Sequence, residues 1–308
     1  MYDIFYLKIN KENYFFNNKF PKNVIKFNNK RELLSSKLWY IKSKIRYKTD
    51  FTNPVELIDE KKYSEVIPKG LVIYPPLRNE YKKVHSELTH LYDNYKSYPF
   101  LNNYIADYTS TRGLFYIFTS FSDPIYYKES LNFLKKNNYK ELSNIIEEYI
   151  QYFFIKYNIK KEKEEYILSK LQLGLLKYSK NDGIWLHIDN IKRYDQGPIA
   201  TISIGPKYNF YDLAPSLIND PKIKPLRIKM DEGSLFIMDG SSRIEWSHGL
   251  PYNNPYNENI KYTITFKFDK FNEKKIGYNP ILETNIFESS LYKNNKISNN
   301  ISKIIGKK

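Results

Sequence analysis

Residues 171–205 read LQLGLLKYSKNDGIWLHIDNIKRYDQGPIATISIG, and this stretch decides the fold. Leu171 to Tyr178 is an apolar run of strand length. Asn181-Asp182-Gly183 is a turn signal, because Asn and Asp bond to their own backbone and Gly accepts a positive φ. Trp185 to Asp189 reads as the end of a second strand. In Pro198 to Gly205, Ile199, Thr201 and Ser203 alternate with Ala200, Ile202 and Ile204, which is the period of a third. Leu226 to Lys229, Ser234 to Met238 and Tyr262 to Phe268 continue the series. Short strands at regular spacing predict a sandwich or barrel.

Upstream the pattern is mixed. Gly70-Leu71-Val72-Ile73-Tyr74 before Pro75-Pro76 predicts a short strand that ends in a turn. Arg112 to Phe118 predicts another, aromatic and β-branched. From Lys140 to Tyr157, Leu142, Ile145, Ile146, Tyr149, Ile150 and Phe153 recur at three- and four-residue steps. That is the stripe of an amphipathic helix. The charge run Lys160 to Glu165 is expected on a solvated helix surface or connector. After about Gly277 the chain is rich in Asn, Lys and Ser, and Lys303 to Lys308 are expected to fray.

The chain has 308 residues, enough for one large domain or for a domain with an extension. Tyr (30) and Phe (19) supply much of its apolar volume. No apolar run approaches the roughly 18 residues that span a bilayer. Met1-Tyr2-Asp3-Ile4 lacks the basic start and apolar run of a secretory signal. Cysteine is absent, which excludes disulfides and thiolate metal sites and fits a reducing compartment. An intracellular location, cytoplasm or nucleus, is the expectation. The formal charge of +15 favours a polyanionic partner. A genome rich in A/T codons raises Lys, Asn, Ile and Tyr equally well, so charge alone does not separate the two explanations.

The chain contains four histidines, His85, His90, His187 and His248. Residues two apart on a strand share a face, so His187 and Asp189 project together and Ile188 turns away. His248, in Trp246-Ser247-His248-Gly249, follows a strand and the turn-forming Asp239-Gly240. Two imidazoles and a carboxylate make the 2-His-1-carboxylate set that binds non-haem Fe(II) and leaves coordination positions open. Core or surface histidines are the ordinary alternative. His85 and His90 are five apart, a poor spacing for one helical face, and read as structural or surface residues.

Lys261-Tyr262-Thr263-Ile264-Thr265-Phe266-Lys267-Phe268 alternates strictly. Lys261, Thr263, Thr265 and Lys267 share one face. Either this is an edge strand with a wet face, or the polar face lines an interior where the lysines require paired anions.

From about Leu171 to Phe271 the chain resembles the AlkB-like Fe(II)- and 2-oxoglutarate-dependent dioxygenases. Five segments carry the resemblance. Tyr178 matches a cosubstrate-contacting Tyr on the strand before the family's His-x-Asp. His187-Ile188-Asp189 matches that motif. Pro198 to Gly205 matches the Pro-Ile-x-x-hydrophobic-Ser-hydrophobic-Gly strand that follows. Asp239 to Gly249 matches the Gly-x-Ser-Arg and distal His-Gly segment. Lys261 to Lys267 matches the final Arg-x-Asn-hydrophobic-Thr-hydrophobic-Arg strand. The chain departs from the family in carrying Lys261 and Lys267 for two arginines, Thr263 for an asparagine, Leu176 for another asparagine, and Ile191 for an acidic residue that helps to read a substrate base. Lys lacks the planar fork that lets Arg clamp a carboxylate, and offers a point charge instead.

The resemblance implies an α+β chain with a double-stranded β-helix (jelly-roll) catalytic core at 166–275. A helical and mixed N-terminal extension would occupy 1–165, with substrate-recognition elements, and a polar tail 276–308. It implies Fe(II) on His187, Asp189 and His248. It implies 2-oxoglutarate as cosubstrate, with Lys261 on its distal carboxylate, Lys267 near its keto-acid end, and Tyr178 and Thr263 beside it. The implied reaction hydroxylates a C–H bond, and on an N-methylated base it releases formaldehyde, a repair or modification activity on DNA or RNA. A nucleic-acid base must leave its stack to be reached, and Tyr104, Tyr108, Arg112, Phe115 and Tyr116 are candidates to receive it, although core packing is the commoner role for each. Arg243 either pairs with an acid or is a surface cation. Trp185 and Trp246 are expected to pack around the site. Two other functions stay open: hydroxylation of a protein side chain or small molecule, and a non-catalytic nucleic-acid-binding protein on a degenerate oxygenase scaffold.

Overall fold

The computed structural model describes residues 2–7, 54–57, 70–107, 114–118, 125–179, 182–187, 197–215, 226–244, 246–251 and 260–268. Within them the alternation of the second half is realised as two antiparallel sheets. One sheet has the order β3-β11-β8-β13-β6-β5-β4. Its strands are β3 (Leu71–Tyr74), β4 (Ile105–Asp107), β5 (Leu114–Ile117), β6 (Gln172–Tyr178), β8 (Ile199–Ile204), β11 (Leu235–Met238) and β13 (Lys261–Lys267). The other has the order β2-β1-β10-β9-β12-β7. It comprises β1 (Tyr2–Leu7), β2 (Pro54–Leu57), β7 (Ile184–His187), β9 (Tyr208–Pro215), β10 (Leu226–Asp231) and β12 (Trp246–Leu250). From β6 onward the chain divides itself between the sheets: β6, β8, β11 and β13 in the first, β7, β9, β10 and β12 in the second. Strands from the first 165 residues extend both sheets, since β1 pairs with β10, β3 with β11 and β5 with β6.

Period-two alternation assigns β3, β6, β8, β11 and β13 of the first sheet two jobs. One face carries Leu175, Ile202, Ile237, Ile264 and Phe266 and packs on helices. These are α1 (Lys82–Asn94), α2 (Tyr127–Lys136), α3 (Lys140–Lys156) and α4 (Lys161–Lys170). The stripe expected on α3 is buried in full, from Leu142 through Ile145, Ile146, Tyr149 and Ile150 to Phe153. Phe153 stacks on Phe268 with centroids 4.1 Å apart. Each such side chain contributes about 1.5–3 kcal/mol by leaving water. The Lys160–Glu165 run falls largely on α4, whose single buried residue is Ile167.

Tyr149 also ties α3 to the turn between β10 and β11. Its hydroxyl donates to the carbonyl of Gly233, and it shares a 2.6 Å hydrogen bond with the Tyr81 hydroxyl. Gly233 has φ +76, and an added Cβ would meet the Tyr81 ring, so both backbone and space require glycine there.

The opposite face of the first sheet meets the second sheet through Leu176, Phe236 and Met238 against Leu213, Ile228 and Trp246. The polar residues of β13 point into this same interior. β13 is a central strand, between β8 and β6, and Lys261, Thr263 and Thr265 are buried. The wet-edge reading of this strand therefore fails. Outside the second sheet's apolar core, Arg227 Nε and Nη2 donate to the two Asp212 carboxylate oxygens at 2.6 and 2.8 Å, both residues being fully buried. Among the described residues no helix is long and apolar enough to cross a membrane.

Candidate metal centre

The site begins with a β-bulge. Antiparallel pairing sets His248 opposite His187 and Leu250 opposite Ile184, so β7 uses one more residue than β12 between the two pairs. In a regular strand Ile184 and His187 would face opposite sides. The extra residue cancels that half-turn, and both side chains border the space between the sheets. His187 and His248 then converge with ring centroids 4.4 Å apart and planes tilted by 46°. Both are half-buried. Asp189, Ile188 and Ile191 lie outside the described residues. Among the described residues no group of three or more His, Asp and Glu side chains is gathered for a metal.

His248 is placed by local structure on its N-terminal side. Asp239 and Ser242 close a turn, with the Ser242 hydroxyl donating to the Asp239 carbonyl at 2.8 Å. This starts the short helix α5 (Gly240–Ile244), and β12 follows it. The sequence suggested a turn at Asp239-Gly240, and the chain makes a helical turn there. Arg243 is 2 % exposed, so it is no surface cation. Trp246 is buried in the interior beside the site, and the Trp185 side chain lies outside the described residues.

The space that the histidines border measures about 530 Å³ with the open solvent at its mouth included. Its wall includes Tyr178, Thr263, Thr265 and Lys267 from the first sheet and Tyr211 from the second. Leu176, Phe236 and Met238 make its apolar part. Two hydroxyl pairs lie in this interior: Thr201 Oγ1 with Thr265 Oγ1 at 3.3 Å, and Ser203 Oγ with Tyr211 Oη at 3.0 Å. The Tyr211 ring stacks on Phe236 at 4.3 Å. Burial raises the Tyr211 hydroxyl well above the usual tyrosine range, so it is a neutral hydrogen-bonding group at physiological pH.

Lys261 stands in register opposite Tyr178. It does not border the open space itself. Its ammonium lies 5.7 Å from the Tyr178 ring centroid and 5.2 Å from that of Tyr211, and both rings border the space. Burial pushes Lys261 down to about 7. The structure thus gathers His187, His248, Tyr178, Thr263 and Lys267 around one space, with the Lys261 ammonium against the rings of Tyr178 and Tyr211 in its wall. Tyr211 carries no motif in the sequence. Its only signal there is an aromatic residue downstream of the Pro198–Gly205 strand.

Other nominated residues fall elsewhere. His85 Nε2 lies 3.0 Å from the Ile260 carbonyl, and its ring meets the edge of Tyr262. His90 Nδ1 lies 3.1 Å from the Tyr139 hydroxyl. Both are structural. Tyr104 is half-buried with its ring 5.3 Å from Phe100. Tyr108 and Arg112, and the side chains of Phe115 and Tyr116, lie outside the described residues, as does the tail after Phe268.

The sequence matches no family model. It matches no curated protein either. Among solved structures the fold is similar to OsALKBH1, at 14% identity and a TM-score of 0.37, over 65% of this chain and 99% of that one. It is also similar to a prolyl-4-hydroxylase from Pseudomonas putida, at 10% identity and a TM-score of 0.36, over 66% of this chain and 94% of that one.

Proposed function

We propose that this chain is an Fe(II)- and 2-oxoglutarate-dependent dioxygenase on a double-stranded β-helix, and that it oxidatively demethylates alkylated nucleic-acid bases. The observation that carries the proposal is the register of His187 against His248. A bulge turns both imidazoles into one space, and that space is walled by Tyr178, Thr263 and Lys267. The division of β6 to β13 between two facing sheets supports the jelly-roll reading.

The donors fit a non-haem iron. Two imidazoles converge, and the sequence supplies the Asp189 carboxylate two residues beyond His187, with no thiolate in the chain. His187, His248 and Asp189 would hold the metal. When bound, Fe(II) with O2 and 2-oxoglutarate supplies the oxidant that hydroxylates a C–H bond, with succinate and CO2 as co-products. The chain's own residues bind and orient. Lys267 and Lys261 compensate the two carboxylates of the cosubstrate, and Tyr178 and Thr263 hydrogen-bond to it. Leu176, Phe236 and Met238 limit water, which strengthens each of these charge interactions. On an N-methylated base, the hydroxylated carbon leaves as formaldehyde. The net charge of +15 supports a polyanionic substrate.

Succinate release with Fe(II), measured across alkylated DNA, alkylated RNA and peptides, tests this function. The proposal requires stimulation by an alkylated oligonucleotide, with formaldehyde as co-product. Stimulation by peptides alone contradicts the nucleic-acid part and leaves the oxygenase standing.

A further inference from the structure

Lys261 points from β13 into the interior, where nothing among the described residues neutralises a charge. It is 5 % exposed, and among the described residues no carboxylate or hydrogen-bond acceptor meets its ammonium. Two aromatic faces meet it instead. Tyr178 comes from the paired strand β6, and Tyr211 from the facing sheet. The Tyr211 ring is fixed on both sides, by its hydroxyl on Ser203 and by its stack on Phe236.

Magnitudes decide what this arrangement holds. A ring face offsets about 0.5–2 kcal/mol of a cation's desolvation. Complete burial of an ammonium costs several kcal/mol. Two rings therefore orient Lys261 without sustaining a permanent charge, and an entering carboxylate supplies the balance. Among the described residues, the titratable groups around it have no competing anion to offer. They are Tyr178 on β6, Tyr211 on β9, and His187, His248 and Lys267 around the adjoining space. Glu232 accepts from the Gly205 amide, and His85 is engaged with Ile260 and Tyr262 on the helix side of the sheet. Asp212 is committed to Arg227.

We propose that Tyr211, together with Tyr178, is a positioning residue that clamps the Lys261 side chain, and that the cosubstrate's distal carboxylate enters with a proton taken up from solvent by Lys261 Nζ. This rests on the 2-oxoglutarate reading above and adds a proton to it. The balance is simple: neutral amine, dianion and one solvent proton give an ammonium–carboxylate pair. Burial pushes Lys261 to about 7 in the free protein, so the proton is already present at pH 6 and absent at pH 8.

Calorimetric titration of the Mn(II)-loaded protein with 2-oxoglutarate, in buffers of different ionisation enthalpy, reads this proton directly. The expected uptake is about one proton at pH 8 and about a tenth at pH 6. Lys261→Met should abolish the uptake. Tyr211→Phe keeps the ring and should bind within about threefold of wild type, whereas Tyr211→Leu should weaken binding about tenfold or more. Binding at pH 8 without proton uptake overturns the proposal and spares the cosubstrate reading, and this measurement needs no variant to fold. Equal affinity in a folded Tyr211→Leu variant overturns the role of Tyr211. Absence of binding at either pH overturns the cosubstrate reading and the proposal together.

Discussion

His187 and His248 stand opposite one another across the β7–β12 ladder with ring centroids 4.4 Å apart, because a bulge brings His187 onto the inner face. If the pair holds a metal, His187→Ala and His248→Ala should each weaken Mn(II) or Co(II) binding by more than about 100-fold, beyond the cost of losing a group that merely supports a ligand. Both rings are half-buried, so unfolding free energy should change by about 1 kcal/mol or less. Metal titration followed by urea denaturation of each variant checks both statements.

Lys261 should make stability depend on pH. Its folded value is near 7 and its unfolded value that of an ordinary lysine, so the unfolded chain binds more protons between about 7 and 10.5. The Lys261 contribution is fully present above the unfolded value and is lost as pH falls through the folded one. Lys261→Met should thus stabilise the protein by a few kcal/mol at pH 6, on the order of the shift's worth, with the gain shrinking toward pH 10. The difference between wild-type and variant urea midpoints across that range isolates this residue from other titrations.

Asp212→Ala should be strongly destabilising. It removes the carboxylate that holds the fully buried Arg227 guanidinium with two hydrogen bonds. Breaking a buried pair by removing one partner costs about 3–5 kcal/mol. Urea denaturation should show this loss, and a loss below about 1 kcal/mol would mean that solvent reaches the pair.

Tyr149→Phe should cost about 1–3 kcal/mol, because it leaves the buried Gly233 carbonyl and Tyr81 hydroxyl each one partner short. Both bonds are made by the one hydroxyl. The lowered urea midpoint should come with an unchanged m value, since no surface is newly exposed in the folded state.

Much of this was legible in the sequence, for identifiable reasons. Strands with clean alternation, such as Ile199–Ile204 and Lys261–Lys267, announce both their structure and their two faces. The stripe of α3 does so at helical period. β9 did not, because Asp212 in its middle reads as a turn residue until Arg227 is found beside it. The stripe of α1, Val84, Leu88, Leu91 and Tyr92, is present in the sequence but thinned by charged neighbours. The His-x-Asp spacing suggested a shared face, yet the bulge that gives His187 that face exists only in the pairing with β12. Tyr211 was invisible for the same reason: its contact with Lys261 crosses from one sheet to the other, and no local pattern encodes it.

Oxygenase activity at His187 and Asp189 is read by the release of CO2 from carboxyl-labelled 2-oxoglutarate under air, with and without Fe(II), for the wild type and for His187→Ala and Asp189→Ala. Release should need Fe(II) and O2, match succinate one to one, and disappear in both variants. Release that persists in folded His187→Ala and Asp189→Ala proteins, or none from wild type loaded with one equivalent of Fe(II), would rule out an iron centre on these residues.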